Sequence, residues 1–396
     1  MPCRSPCLPS RKRRQPPREL APEAGAEADF PLWEFPFDDG LVLVRPRNPG
    51  FYILNPTAAL IWRDRSQNQS AVELASAFTT RFHIDPETAR RDIENTLADW
   101  NQGMLAPCPA PHSLRSPVPS SAELRPVDCQ VNGVAMRVFL DSGAIWDEIA
   151  PRLDPLRIPG GQDAIQFTVA ASSGKVLVFR ESQCIAREDL VTGARAVLLQ
   201  AMVSREEPLA ILHAGGCGGV LLAGGSYSGK STLCAALMAG GLPYHCDDSA
   251  VLSHDFRVHP MPFPLALRQG SWALIEARSQ AFRMAPRQAR QGPEVRFLEP
   301  SNVSGPAAVG ALVFVQYQDG SNTALTKLDT FDALLALQKS GFWVEHSESG
   351  IRQFLAWLEK IPKFQLQYSK LPDAEAAVRD LAAESAESRS APSVIA

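Results

Sequence analysis

The sequence has no apolar run of about 18 residues, the minimum for a membrane-spanning helix. Its basic stretch at residues 11–14 is followed by Gln15 and Pro16, where a secretory signal peptide would have an apolar segment. The net charge is only −4 over 396 residues, which argues against general binding of nucleic acid or of a membrane surface. These absences predict a cytoplasmic protein.

Closely paired cysteines are missing as well. The eight cysteines are scattered without a C-x-x-C spacing, so we expect free thiols rather than a disulfide framework. Cys234, His245 and Cys246 lie close together in the chain but match no usual spacing of zinc ligands. The cysteines therefore predict a reducing compartment and no zinc site.

Proline, in contrast, is abundant, with 33 residues. Many prolines lie in the first 50 residues and around residues 106–126, where they predict tails and linkers rather than core. We predict a multi-domain α/β chain with these segments: a disordered tail (1–29), a small domain (30–107), a linker (108–126), an α+β lobe (127–205), a larger domain (206–380) and a second disordered tail (381–396).

The small domain has three strand-like runs, at residues 33–37, 41–44 and 51–54, followed by three helical patterns, at 57–64, 70–81 and 86–101. Ser70 is placed to cap the second helix, and four apolar side chains are expected to face inward from it: Val72, Leu74, Ala75 and Phe78. A short sheet followed by three helices predicts a winged-helix-like unit.

The run from Tyr52 to Trp62, YILNPTAALIW, together with Gly103-Met104-Leu105, resembles the PqqD family. The resemblance implies a domain that captures the leader segment of a ribosomally made precursor peptide as an added β-strand. It would form its groove from the third helix and a strand near 41–45. A module used only for packing or dimerisation is the alternative, and the mixed charge of the helices argues against DNA binding.

Residues 224–231, GGSYSGKS, match the Walker A pattern G-x-x-x-x-G-K-[ST], with an apolar strand (219–223) before them and a helical pattern from Thr232. A glycine-rich turn at a helix start directs backbone N–H groups toward phosphate oxygens. The motif predicts a site for ATP and Mg²⁺ that contains Gly224, Gly225, Ser226, Tyr227, Ser228, Gly229, Lys230, Ser231 and Thr232. A glycine-rich turn with an exposed lysine is the alternative.

Two adjacent carboxylates, Asp247 and Asp248, follow the predicted helix. Near bound phosphates, one carboxylate would hold magnesium and the other would take a proton from an attacking hydroxyl. A solvated turn is the alternative for this pair.

His213, the Walker A run and Asp247-Asp248, with the proline-rich segment 258–268, resemble the HPr kinase/phosphorylase family. The resemblance implies a phosphoenolpyruvate-carboxykinase-like fold and a P-loop kinase. Its catalytic residues would be Asp247 as the base, Lys230 on the phosphates, His213 near the transferred phosphoryl group and Arg268 on phosphate charge. Ser231 and Asp248 would be the metal ligands.

The sequence departs from this family in two ways. Tyr227 stands where the family usually has glycine, and the family's later glycine-rich segment is missing. We therefore do not expect HPr as the acceptor, nor the phosphorylase direction.

Together, the two resemblances predict a serine/threonine kinase whose acceptor is a precursor peptide or a protein. A nucleotide-gated peptide chaperone and a small-molecule kinase are the alternatives. The predicted partner is a peptide, without nucleic acid or membrane, and a homo-oligomer is compatible with the sequence.

Overall fold

The computed structural model describes residues 32–38, 40–46, 48–66, 70–103, 105, 123–160, 164–204, 207–290 and 292–390. The predicted tail at 1–29 and most of the predicted linker at 108–126 lie outside these residues. The described chain forms two compact units. The first contains residues from 114–205 and 261–300, and the second contains residues from 22–113, 206–260 and 301–396.

The small domain has the predicted order of elements. They are β1 (Trp33–Phe37), β2 (Gly40–Arg45), β3 (Asn48–Leu54), α1 (Pro56–Ser66), α2 (Ala71–Phe82) and α3 (Pro86–Gln102). The strands form an antiparallel sheet in the order β1-β2-β3. All three helices pack in one apolar core with β2 and β3.

Local side-chain caps explain where these helices begin. Asn55 Oδ1 accepts from the Ala58 N–H at 2.8 Å, and Asp85 Oδ2 accepts from the Thr88 N–H at 2.8 Å. Ser70 and Glu73 form a reciprocal capping box at α2. Leu74, Ala75 and Phe78 are buried as predicted, but Val72 is 69% exposed. Val72 lies in the first turn of α2, off the buried face, so its predicted inward position was wrong.

The lobe that begins near residue 125 is a five-stranded sheet with two helices. Its elements are β4 (Arg125–Val131), β5 (Val134–Leu140), α4 (Ala144–Leu153), β6 (Ile165–Ser172), β7 (Lys175–Arg180), β8 (Gln183–Glu188) and α5 (Val191–Val203). The strand order is β4-β5-β6-β7-β8. Strand β4 begins inside the segment that was predicted to be linker.

The chain then continues through short strands around one central helix. These elements are β9 (Ala210–Leu212), β10 (Ala214–Cys217), β11 (Val220–Ala223), α6 (Lys230–Ala239), β12 (Tyr244–Cys246), β13 (Ala250–Leu252) and β14 (Arg257–Val258).

Residues 261–300 belong to the first compact unit. They form β15 (Leu265–Arg268), α7 (Gln269–Glu276), α8 (Gln280–Met284), β16 (Arg287–Arg290) and β17 (Gly292–Leu298). This segment thus groups with the 127–205 lobe rather than with the rest of 206–380.

The last segment returns to the second unit. Its elements are β18 (Ala307–Ala308), β19 (Ala311–Tyr317), β20 (Ala324–Lys327), α9 (Thr330–Ser340), β21 (Phe342–Val344), α10 (Glu348–Lys360), β22 (Lys363–Tyr368) and α11 (Leu371–Ser390). Helix α11 continues ten residues past the predicted domain end at 380. A tail beginning at residue 381 was therefore wrong for 381–390, because Leu381 and Ala382 are buried.

Two sheets dominate the second unit. One has the order β12-β10-β11-β19-β22-β20, with β11, β19 and β22 parallel, and the other has the order β18-β14-β13-β9-β21. Helices α6 and α11 contact each other, and both contact strands of the first of these sheets. The described residues thus form a mixed α/β protein with several sheets, which agrees with the predicted α/β fold class.

Candidate functional site

The glycine loop, residues Gly224–Gly229, joins the buried strand β11 to the start of α6. Three of its residues have positive φ: Gly224 at 149°, Tyr227 at 67° and Gly229 at 92°. Tyr227 thus adopts a left-handed conformation that favours glycine, so it places backbone strain in the loop at this position. Its side chain is 77% exposed.

Lys230, the first residue of α6, turns its side chain back onto the loop. Its Nζ donates to Gly224 O at 2.5 Å and to Gly225 O at 3.1 Å, and it lies 3.3 Å from His213 Nε2. Lys230 is only 6% exposed. The lysine is therefore a buried positive charge within the loop, which does not fit the alternative of an exposed lysine.

Topology explains why His213 lies beside the segment that carries the two aspartates. His213 lies where the chain leaves β9 in one sheet and enters β10 in the other. Asp247 and Asp248 lie at the second such crossing, between β12 and β13. Because β10 pairs with β12 and β9 pairs with β13, the two crossings are neighbours.

The partners of His213 assign its tautomer. Its Nδ1 lies 2.9 Å from Asp248 O and 3.2 Å from Asp248 Oδ1, both of which accept. Its Nε2 faces the Lys230 ammonium group, which only donates. A neutral imidazole with hydrogen on Nδ1 satisfies all three contacts.

The adjacent aspartates have different neighbours. Asp247 Oδ1 accepts from the Ser231 hydroxyl at 2.9 Å. Asp248 has a φ of 69° and a side chain that is 44% exposed. The sequence had grouped Ser231 with Asp248 as metal ligands, but the contact that the structure shows is between Ser231 and Asp247.

The chemistry of these groups fits a nucleotide and magnesium. An ammonium group, a hydroxyl and a carboxylate converge at the N-terminus of a helix, where anions are favoured. Ser228 Oγ, within the loop, is buried without a hydrogen-bond partner among the described residues. Each group is of a type that phosphate oxygens or Mg²⁺ contact in nucleotide sites.

Behind the loop, buried polar groups hold the strands in place. His245 Nε2 accepts from the Gly219 N–H at 3.1 Å, while its Nδ1 lies 3.1 Å from Ser304 Oγ. The Cys217 and Cys234 sulfurs are 3.2 Å apart. A hydrogen bond with Cys217, together with burial, raises the pKa of the Cys234 thiol well above its ordinary value. These contacts link the strands with α6, the helix that begins at the loop.

Thr232 and Arg268 are the remaining predicted site residues. Thr232 is half-buried in the first turn of α6. Arg268 ends β15 in the first compact unit, and its side chain is exposed. The role of Arg268 on phosphate charge stays a prediction.

The small domain presents a second candidate site at an edge of its sheet. Strand β2 pairs with β1 on one side and β3 on the other. The strand near 41–45 was therefore wrong as a side of the predicted groove, because a central strand has no free backbone groups for an added strand. The third helix as the other side of the groove stays a prediction. Among the described strands, the edges of this sheet are β1 and β3.

The β3 edge already receives a hydrogen bond from a side-chain amide. Gln338 Nε2, on α9, donates to Phe51 O at 2.9 Å, and the Phe51 ring packs edge-on against Phe342, with 5.1 Å between centroids. The β1 edge contacts α10, where Arg352 lies over the Phe35 ring. Sequence patterns could not show Gln338 as a site residue, since 287 positions separate it from Phe51.

One comparison identifies the small domain. Residues 40–105 match the family model described as Coenzyme PQQ synthesis protein D (PqqD), a segment well short of half the chain. The chain carries a PqqD domain. This match supports a role in peptide modification or precursor-peptide binding. No curated protein and no solved structure matches the chain.

Among the described residues, no helix is both long enough and apolar enough to cross a membrane.

Proposed function

We propose that this protein binds a nucleoside triphosphate at the glycine loop and transfers its terminal phosphoryl group to a serine or threonine of a peptide. The PqqD domain would capture that peptide. The observation that supports this most is the convergence of Lys230, Ser231 and Asp247 with the His213–Asp248 pair beside one glycine loop.

The loop residues would hold the triphosphate. Backbone N–H groups of the glycine loop and of the first turn of α6 would contact phosphate oxygens, with Lys230 supplying positive charge. Ser231 and Asp247 would hold Mg²⁺, which neutralises charge on the phosphates. This assignment moves the metal role from Asp248 to Asp247, because Asp247 is the carboxylate beside the Ser231 hydroxyl.

Asp248 would then be the general base. Its side chain is more exposed than that of His213, at 44% against 21%, so an acceptor hydroxyl can approach it. The acceptor oxygen would form a bond to the terminal phosphorus as the bond to the bridging oxygen breaks. The hydroxyl proton would pass to Asp248, and a nucleoside diphosphate would leave. His213 would orient the Asp248 carboxylate from Nδ1 and contact Lys230 through Nε2.

The β3 edge is the best-supported place for the peptide. A side-chain amide already donates to Phe51 O there, so a backbone N–H of an extended peptide could take the same position. Tethering the peptide would raise the acceptor's effective concentration into about the millimolar range.

The experiment is transfer of γ-labelled phosphate from ATP, with Mg²⁺, to serine- and threonine-containing peptides selected for binding to the full chain. We expect labelled peptide with the wild type and with Asp319→Asn, an exposed control. Asp248→Asn should lose labelling by about 100-fold or more while it retains nucleotide. Equal labelling by Asp248→Asn would refute its role, and failure of the wild type to bind ATP would refute the whole proposal.

A nucleotide-gated peptide chaperone is the second candidate. A short series of contacts between the β3 edge and His213 favours it. Gln338 contacts the β3 edge, and three residues later Gly341 O accepts from the His213 N–H at 3.0 Å. Peptide binding at β3 could thereby alter the nucleotide site without phosphoryl transfer. ATP-dependent peptide affinity with no label on any selected peptide would favour this function over the kinase.

A further inference from the structure

A half-exposed tyrosine lies directly beside the glycine loop. Tyr317 is the last residue of β19, which runs parallel to β11 and pairs with it along residues 220–223. Both strands therefore end at the same edge of the sheet, where ligands bind in open α/β sheets. Tyr317 is 48% exposed, whereas the first five residues of β19 are buried.

Its backbone is tied to the loop. The Tyr317 N–H donates to Ser228 O at 3.0 Å. A Cβ built on Gly229 would lie 3.4 Å from the Tyr317 Cβ. The side chain of Tyr317 therefore begins within van der Waals distance of the loop that would hold the phosphates.

Its ring is also oriented by a second tyrosine. The rings of Tyr317 and Tyr368 pack edge to face, with 5.7 Å between centroids and an interplanar angle of 73°. Tyr368 is buried, its hydroxyl lies 3.5 Å from Gly229 O, and burial raises its pKa to about 12. A neutral, fixed Tyr368 thus limits the movement of the Tyr317 ring while leaving nearly half of Tyr317 exposed.

An ordered, exposed aromatic ring next to a phosphate-binding loop is suited to a planar ligand group. Every nucleobase has a π face, and stacking on an aromatic side chain requires no particular pattern of hydrogen bonds. A purine attached to a triphosphate would bring such a face to this edge of the sheet.

We propose that Tyr317 is the stacking surface for the nucleobase, and that it determines affinity for the nucleoside part of the ligand rather than for its phosphates. This inference rests on the proposed nucleotide site. It also predicts that adenine and guanine nucleotides bind with similar affinity, because stacking does not read the base edge.

The experiment compares Mg·ATP with inorganic tripolyphosphate, which has the phosphates but no base, by calorimetry on the full chain. Tyr317→Ala should weaken ATP binding by between about 5-fold and 100-fold and leave tripolyphosphate binding within about 2-fold. Tyr317→Phe should keep both affinities. Leu325→Ala, at an exposed position of the same sheet, is the matched control and should change neither.

The outcomes separate this inference from the function on which it rests. An equal loss of ATP and tripolyphosphate affinity in Tyr317→Ala would show that Tyr317 only braces the loop, and would refute stacking. Unchanged ATP affinity would refute it as well. A wild type that binds neither ligand would instead refute the nucleotide site, and the inference with it.

Discussion

The candidate sites of the PqqD domain and of the six-stranded sheet differ in the chemical groups that form them. On the PqqD domain the site is an edge of backbone, where the observed contact is to the carbonyl of Phe51. On the larger sheet the candidate site adds to the loop backbone a set of side chains from a helix start and a sheet crossing, such as Lys230 and His213. The first kind of site tolerates most side-chain changes, whereas the second depends on single functional groups.

The largest effect should come from Lys230→Ala. Removing the buried ammonium group should weaken binding of Mg·ATP by about 100-fold or more, because it takes away the positive charge that the proposal places on the phosphates. Peptide binding by the PqqD domain should not change. Titration of ATP and of a selected peptide measures both, with the exposed Lys327→Ala as control. Similar losses of both affinities would contradict the distinction between the two sites.

The loop should also be sensitive to a single added methyl group. In Gly229→Ala the new Cβ would overlap the Tyr368 hydroxyl at a φ of 92°. We expect a loss of about 1–3 kcal/mol in the free energy of unfolding, measured by denaturant titration. Gly225→Ala, with open space around its Cβ, should cost much less.

Adding Tyr368→Phe to Gly229→Ala tests the cause. The double variant should recover part of the lost stability, because the overlapping hydroxyl is gone. If the double variant is no more stable than Gly229→Ala, the steric explanation fails.

At the β3 edge of the PqqD domain, which Gln338 of α9 contacts, Gln338→Ala should increase peptide affinity. Removing the side chain that occupies Phe51 O eliminates a competitor worth about 0.5–1.5 kcal/mol, so affinity should rise by about 2-fold to 10-fold. Fluorescence anisotropy with a selected peptide measures this, and the neighbouring Lys339→Ala is the control. Lower affinity in Gln338→Ala would mean that peptide binds elsewhere, or that Gln338 contacts the peptide itself.

The smallest expected effect is a loss of stability at the start of α2 at low pH. Hydrogen bonds from the Ser70 backbone and hydroxyl hold the pKa of Glu73 below its ordinary value. A carboxylate with a lowered folded-state pKa stabilises the fold above its unfolded pKa, and this contribution disappears as pH falls through the folded value. Protection of the amides at the start of α2, expressed relative to the intrinsic exchange rate at each pH, should therefore fall as the pH drops below the ordinary pKa of glutamate. Ser70→Ala should remove most of this pH dependence, and an unchanged profile would contradict the capping role.

Sequence patterns predicted the two regions unequally well, for a physical reason. In the PqqD domain, caps such as Asn55 and Ser70 act within three residues, so element order and helix starts followed from local sequence. The glycine loop was found for the same reason. The pairing of Ser231 with Asp247, the Gln338 contact and the position of Tyr317 depend on strand order and on residues distant in sequence. No local pattern encodes those contacts.

Local sequence patterns were equally limited in predicting the boundaries of the segments. The grouping of 261–300 with the lobe at 127–205 and the extension of α11 to Ser390 are consequences of packing. Proline content predicted tails and a linker that lie largely outside the described residues, and it could not show which segments reassemble.

The central claim is that backbone N–H groups of the glycine loop hold nucleotide phosphates, and amide hydrogen exchange of the full chain with and without Mg·ATP tests it most directly. We expect slower exchange in residues 224–233 on addition of Mg·ATP, no such change in Lys230→Ala, and little change in the edge strand β3. Unaltered exchange in the loop at saturating Mg·ATP, or equal protection in Lys230→Ala, would contradict the account.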